Sequence, residues 1–218
     1  MPLITYYDES RGERVELSGV SFANWVDKTA GLLTHEILAE PGDRVRLTLA
    51  TSHPAHWVTL VWVAASWRAG CAITVDPADD AAVEVIGPDT APVGDPETIA
   101  CSLHPFGLGF TTPLPAGVLD YGVEVRTFPD SFTGPHPSSD APGWADAERR
   151  LSQAELVAVN GHAQRRVVTP GDVWPTVRTA LIEPVLGGGS TVIVVGATAE
   201  RRAEIARAEI AVVAPANR

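Results

Sequence analysis

Residues 54–70 carry apolar side chains almost all the way round a helix: Ala55, Trp57, Val58, Leu60, Val61, Trp62, Val63, Ala64 and Trp67 leave no continuous polar face. Pro54 suits a first helical turn and Gly70 a C-terminal stop. A helix of this kind must be covered on more than one side, so it belongs to an inner layer of a layered fold. Its flanks say which fold. Before it, the turn Pro41-Gly42-Asp43 delivers Arg44-Val45-Arg46-Leu47-Thr48-Leu49, which alternates as a strand. After it, Cys71-Ala72-Ile73-Thr74-Val75 is a short apolar strand ahead of Asp76-Pro77. Strand, helix and strand at this spacing form a βαβ unit, which requires parallel pairing with helices on the faces. The expected fold class is α/β, with mostly parallel sheets flanked by helices.

The rest of the chain fits that class unevenly. Val15-Glu16-Leu17 alternates as a strand, Ser18-Gly19 punctuates it, and Ser21 is expected to cap a helix with the apolar stripe Phe22, Trp25, Val26, Ala30, Leu33 and Ile37. Residues 82–87 form a weaker strand. Between 87 and 142 short apolar pieces, including residues 114–119 and Val123-Glu124-Val125-Arg126, alternate with prolines and glycines and are read as strands and loops. The segment 128–143, with Pro129, Gly134, Pro135, Pro137 and Pro142, is either a long ordered loop or the joint between two lobes, 1–127 and 144–218, of one domain. Beyond it, Ser152 and Glu155 form a capping box, residues 174–186 suit a helix, 191–195 a strand, 199–208 a helix and 210–213 a last strand.

Composition narrows the chemistry. With 218 residues, 45% of them hydrophobic, the chain can bury a sizeable core. A net charge of −11 argues against nucleic acid or an anionic membrane surface as partner. Lys28 is the only lysine, so any amine-based phosphate clamp or Schiff base has a single candidate, on a helix expected at the surface. Cys71 and Cys101 stand apart without a CxxC motif and are read as small core residues. No apolar run has the length of a membrane span and the first residues lack the pattern of a signal peptide, so a cytoplasmic location is expected.

Ile4-Thr5-Tyr6-Tyr7, the helix over 21–38, the phrase Pro41-Gly42-Asp43-Arg44-Val45, the ending Trp67-Arg68-Ala69-Gly70-Cys71 and the close Thr74-Val75-Asp76-Pro77 resemble, in this order, the opening of adenylate-forming enzymes of the acyl-CoA synthetase type. Two looser matches follow: Leu151-Ser152-Gln153-Ala154-Glu155-Leu156 resembles the helix after that family's phosphate loop, and residues 183–193 resemble its loop of small residues leading into an apolar strand. The organisation most resembles a short actinobacterial family built like a truncated adenylate-forming enzyme.

What the resemblance implies is then limited by what is missing. The family's phosphate loop is rich in Ser, Thr and Gly and ends in Pro-Lys-Gly; here the position holds Pro142-Gly143-Trp144-Ala145-Asp146-Ala147-Glu148-Arg149-Arg150. A phosphate cradle needs exposed backbone N–H groups and a cation, which Trp, Asp and Glu do not supply. The family's aromatic-His motif would fall near Thr169-Pro170-Gly171-Asp172-Val173-Trp174, which has no histidine. The adenine motif, the ribose-binding aspartate and the domain with the catalytic lysine have no counterpart before Arg218.

Other chemistry gives way to plainer readings. Gly187-Gly188-Gly189-Ser190-Thr191 precedes a strand, where a phosphate loop follows one, and is read as a turn. Gly19-Val20-Ser21-Phe22-Ala23 has the outline of a hydrolase nucleophile elbow, but no His and acid are placed with it. His53 and His56 could share a face and bind a metal, and hydrogen bonding at a helix terminus is preferred. No catalytic residue, metal or cofactor is assigned. The expected role is a non-catalytic adenylate-forming-like domain that acts as a homodimer, through a protein partner, or by binding an acyl or nucleotide-like small molecule; a small hydrolase using the remaining cleft is the alternative.

Overall fold

The computed structural model describes residues 1–92, 96–134 and 136–213. In chain order the strands are β1 (Ile4–Asp8), β2 (Glu13–Leu17), β3 (Arg44–Arg46), β4 (Ala72–Thr74), β5 (Val83–Ile86), β6 (Glu97–Ala100), β7 (Val118–Asp120), β8 (Pro142–Ala145), β9 (Arg150–Ser152), β10 (Arg165–Val168), β11 (Ser190–Val195) and β12 (Val212–Val213). The helices are α1 (Gly19–Gly31), α2 (Leu49–Ser52), α3 (Trp57–Arg68), α4 (Tyr121–Glu124), α5 (Gln153–Leu156), α6 (Val173–Val177), α7 (Glu183–Gly187) and α8 (Ala199–Ala208). The turns Leu32–Glu36 prolong α1, and Arg178–Ile182 join α6 to α7.

Two sheets result, both mostly parallel. One has the order β12-β10-β11-β1-β2, antiparallel only between β1 and β2; the other runs β7-β6-β5-β3-β4-β8-β9, antiparallel only at the β8/β9 hairpin. The expected βαβ unit is β3-α3-β4, with Val45 opposite Ile73. Trp57, Val58, Leu60, Val61, Trp62, Val63 and Ala65 on α3 are each at most 2% exposed, and α1 packs along the helix. Burying side chains of this size stabilises by about 1.5–3 kcal/mol each, which makes α3 the centre of the core.

Several boundaries differ from the sequence reading. The cap of α1 is Ser18, whose Oγ accepts from the Ser21 N–H at 3.0 Å; Ser21 itself is three residues inside the helix. Helix α3 starts at Trp57, because His56 Nδ1 accepts from the Val58 N–H at 3.2 Å and takes the capping place, leaving Pro54 in the turn before it. Val123 to Arg126 are helical, not extended. Asp120 accepts from the Gly122 N–H at 3.0 Å and starts a helical turn, and four alternating residues are too few to distinguish the two periods. The Ser152–Glu155 capping box and α8 form as read.

Both sheets take strands from each side of the segment 128–143. β1, from the start of the chain, pairs with β11 near its end, while β8 and β9 complete the sheet begun by β3. Its length has a geometric cause. From β7 at one edge the chain must pass four strands to enter β8, five strand spacings or about 24 Å. The segment covers that distance along the helices: Phe128 lies against Gly31, its carbonyl accepts from Lys28 Nζ, and the buried Phe132 has its carbonyl held by Arg68 at 2.9 Å. Pro135 lies outside the described residues.

The end of the last helix is tied to β1, β2 and β10 through Glu209. Glu209 accepts from Tyr7 Oη, from Arg14 at 2.9 Å and from Arg165 at 2.6 Å. Burial raises its pKa, but these hydrogen bonds outweigh that and hold the carboxyl at about 2.

Candidate functional site

Parallel sheets bind ligands in the crevice beyond the carboxyl ends of their strands. Here that crevice holds a cavity of about 300 Å³, lined among others by Val75 and Asp76 after β4, Asp146 and Arg149 in the β8–β9 turn, and Asp172 and Trp174 at the start of α6. It joins the two sheets, since β4 and β8 belong to one and the strand before α6 to the other. The 128–143 segment packs against α1 and α3, and none of its described residues is in this lining.

The turn where a phosphate loop would stand is closed on itself. Asp146 Oδ1 accepts from the N–H groups of Glu148 and Arg149, both at 2.9 Å, and Oδ2 accepts from Trp144 Nε1 at 2.8 Å and from Arg149 Nη1 at 2.8 Å. Burial raises the pKa of Asp146, while the Trp144 indole, the two backbone N–H groups and the Arg149 guanidinium lower it by more, so it stays ionised below the usual carboxylate range. An internal carboxylate therefore holds the N–H groups and the cation that an incoming phosphate would need. Arg149 also pairs with Glu148, and Arg150 with Asp79 at 3.1 Å. Trp144 is buried with its ring 5.0 Å from Trp174, which forms the aromatic wall of the cavity. The sequence shows the Asp-x-Glu-Arg turn as an absence of phosphate-loop residues; the signal that points to Asp146 is the habit of aspartate in turns of accepting from N–H groups two and three residues on.

The other sequence candidates fall away from this crevice. The Ser21 hydroxyl lies on the exposed first turn of α1, 2.9 Å from Ser18 Oγ, and among the described residues no histidine or carboxylate is hydrogen-bonded to it. Gly188 adopts φ +69° as the cap of α7, and Gly187 and Gly189 pack against His162, so this glycine run turns the chain into β11. Lys28 is engaged with Phe128 and Asp130. Cys71 and Cys101 are buried and free, their thiols pushed up by burial. His53 and His56 do not converge on a site: His53 Nδ1 is 2.9 Å from Ser52 Oγ, and His56 is buried against the Tyr6 ring at 4.8 Å. Burial depresses both, His56 to about 3, with His53 and Arg11 adding to the effect on His56. Among the described residues no group of three or more His, Cys, Asp or Glu is arranged to hold a metal, and no helix is long and apolar enough to cross a membrane.

Comparison with known proteins places this geometry. No family model matches the chain. It is 34% identical over 207 residues, 90% of its length and 81% of the relative's, to a TIGR03089 family protein of Mycobacterium tuberculosis (strain ATCC 25618 / H37Rv). Among solved structures, an acyl-CoA synthetase of Brucella canis matches with a TM-score of 0.72 at 13% identity, covering 97% of this chain and 43% of that one. The nonribosomal peptide synthetase FmoA3 (S1046A) matches at 0.60 and 19% identity, covering 96% of this chain and 23% of the other. The chain thus spans less than half the length of the enzymes whose fold it shares, and what is shared is the adenylate-forming architecture.

Proposed function

The chain belongs to the TIGR03089 family, and from that premise we propose that it is a non-catalytic, adenylate-forming-like binding domain, whose crevice takes an acyl or nucleotide-like small molecule without using a triphosphate. The observation that carries this reading is the occupied turn: the Asp146 carboxylate satisfies the Glu148 and Arg149 N–H groups and the Arg149 guanidinium. A triphosphate would have to displace a carboxylate bound by four donors, and it would enter a crevice whose remaining charged walls, Asp76 and Asp172, are anionic. The Trp174 face and the cavity of about 300 Å³ suit a compact, partly apolar ligand.

Thermal-shift measurements on the full chain test this, with Mg·ATP, AMP, a non-hydrolysable acyl-adenylate analogue and CoA as probes, on wild type and Trp174→Ala. A stabilising shift from a probe without a triphosphate, lost in Trp174→Ala, is the expected result. A shift from Mg·ATP that depends on the 146–149 turn overturns the reading.

A further inference from the structure

The outer strands of the two sheets are treated unequally. Three are short: β12 has two residues, β7 three and β9 three. The fourth, β2, has five, pairs with β1 along its whole length, contains no proline or lysine, and has no strand on its outer side among the described residues. An edge this long and regular is a template for another strand unless it is blunted. A groove of about 280 Å³ runs beside it, with Trp25, Trp57 and Phe106 in its lining. Phe106 is 76% exposed, yet its loop is fixed: His104 Nδ1 accepts from the Phe106 N–H at 3.1 Å, and Arg126 donates to the Phe106 carbonyl at 3.0 Å.

We propose that this edge is the interface between two copies of the chain, formed by antiparallel pairing of β2 with β2 across a two-fold axis at Val15. Charge selects both the occupant and the register. Arg14 and Glu16 are exposed, side by side on one face of β2, and paired at 2.6 Å. Centred on Val15, the pairing sets Arg14 opposite the partner copy's glutamate at position 16, and Glu16 opposite the partner copy's arginine at position 14. Centring on residue 14 would oppose two arginines, and centring on residue 16 two glutamates, so the self-complementary register is the one at Val15. A two-fold interface requires this self-complementarity. The exposed Phe106 adds an apolar anchor beside the paired strands.

Sedimentation analysis of the full chain up to about 200 µM tests the interface. The wild type is expected to dimerise. Glu16→Arg, which places arginines opposite one another twice, is expected to weaken the dimer about tenfold or more while leaving the monomer's melting temperature unchanged. Val15→Cys is expected to cross-link the dimer on oxidation, because directly opposed Cα atoms lie about 4.5–5.5 Å apart, within disulfide range. A wild type that stays monomeric, a dimer that Glu16→Arg leaves as tight, or a dimer that Val15→Cys does not cross-link overturns the proposal.

Discussion

Replacing His56 with asparagine should change how stability depends on pH, by an amount the structure sets. His56 is 4% exposed, caps α3 through Nδ1 and packs on Tyr6. An imidazolium cannot accept a hydrogen bond at Nδ1, so protonation removes the cap and also leaves a charge in the core, near His53 and Arg11. The folded pKa of about 3 lies below the ordinary 6.5, so the unfolded chain takes up the proton first as pH falls. Stability from this residue is complete above about pH 6.5 and is lost progressively down to about pH 3. Between pH 8 and pH 4.5 the loss is nearly two factors of ten in the folding constant, about 2–3 kcal/mol. Asparagine also caps helices but does not titrate. Urea unfolding followed by tryptophan fluorescence across this range should show His56→Asn less stable than wild type at pH 8, and the gap should close or reverse by pH 4.5. Carboxylates such as Asp146 and Glu209 titrate equally in both proteins and cancel in the difference. Two stability curves that stay parallel from pH 8 to 4.5 would refute the argument.

Three further substitutions probe other parts of the account. Asp146→Ala leaves the Trp144 indole and two backbone N–H groups without their acceptor and should cost about 1–3 kcal/mol by urea unfolding; a neutral effect would mean that the turn does not depend on its carboxylate. Glu209→Gln should cost about 2 kcal/mol at pH 7, and since the native carboxyl is held at about 2, the difference should shrink as pH falls below about 4.5; a deficit that persists undiminished at pH 2 would contradict the ion-pair reading. In Gly122→Ala the new Cβ would sit 2.4 Å from the Gly109 nitrogen, so the melting temperature should drop as for an overpacked core, about 1–3 kcal/mol, and an unchanged melt would show that the α4 turn can move away from the 108–109 backbone.

Much of the fold could be read from the residues because its strongest signals are local. An all-round apolar helix between two short strands admits few arrangements other than β3-α3-β4, and the Ser152–Glu155 box fixes its own helix start. The misreadings occur where two local rules compete or where distant residues decide. Ser18 and Ser21 are both good caps, and only the N–H geometry shows which one serves. The alternation of residues 123–126 was overridden by Asp120. For the 128–143 segment the sequence leaves a long loop and a joint between lobes both open, because nothing in its composition shows that four strands lie between β7 and β8. At the crevice, the missing lysine and glycines could be seen directly, whereas the role of Asp146 depends on Trp144 and Arg149 converging on one carboxylate.

In the proposed reading, the Asp146 carboxylate takes the place that a triphosphate would occupy. Isothermal titration of Mg·ATP into the full chain measures this directly. The expected result is no saturable binding at ATP concentrations up to a few millimolar, equivalent to less than about 4 kcal/mol of binding free energy. Saturable binding with a dissociation constant well below about 1 mM, weakened by substitutions in the 146–149 turn, would contradict it.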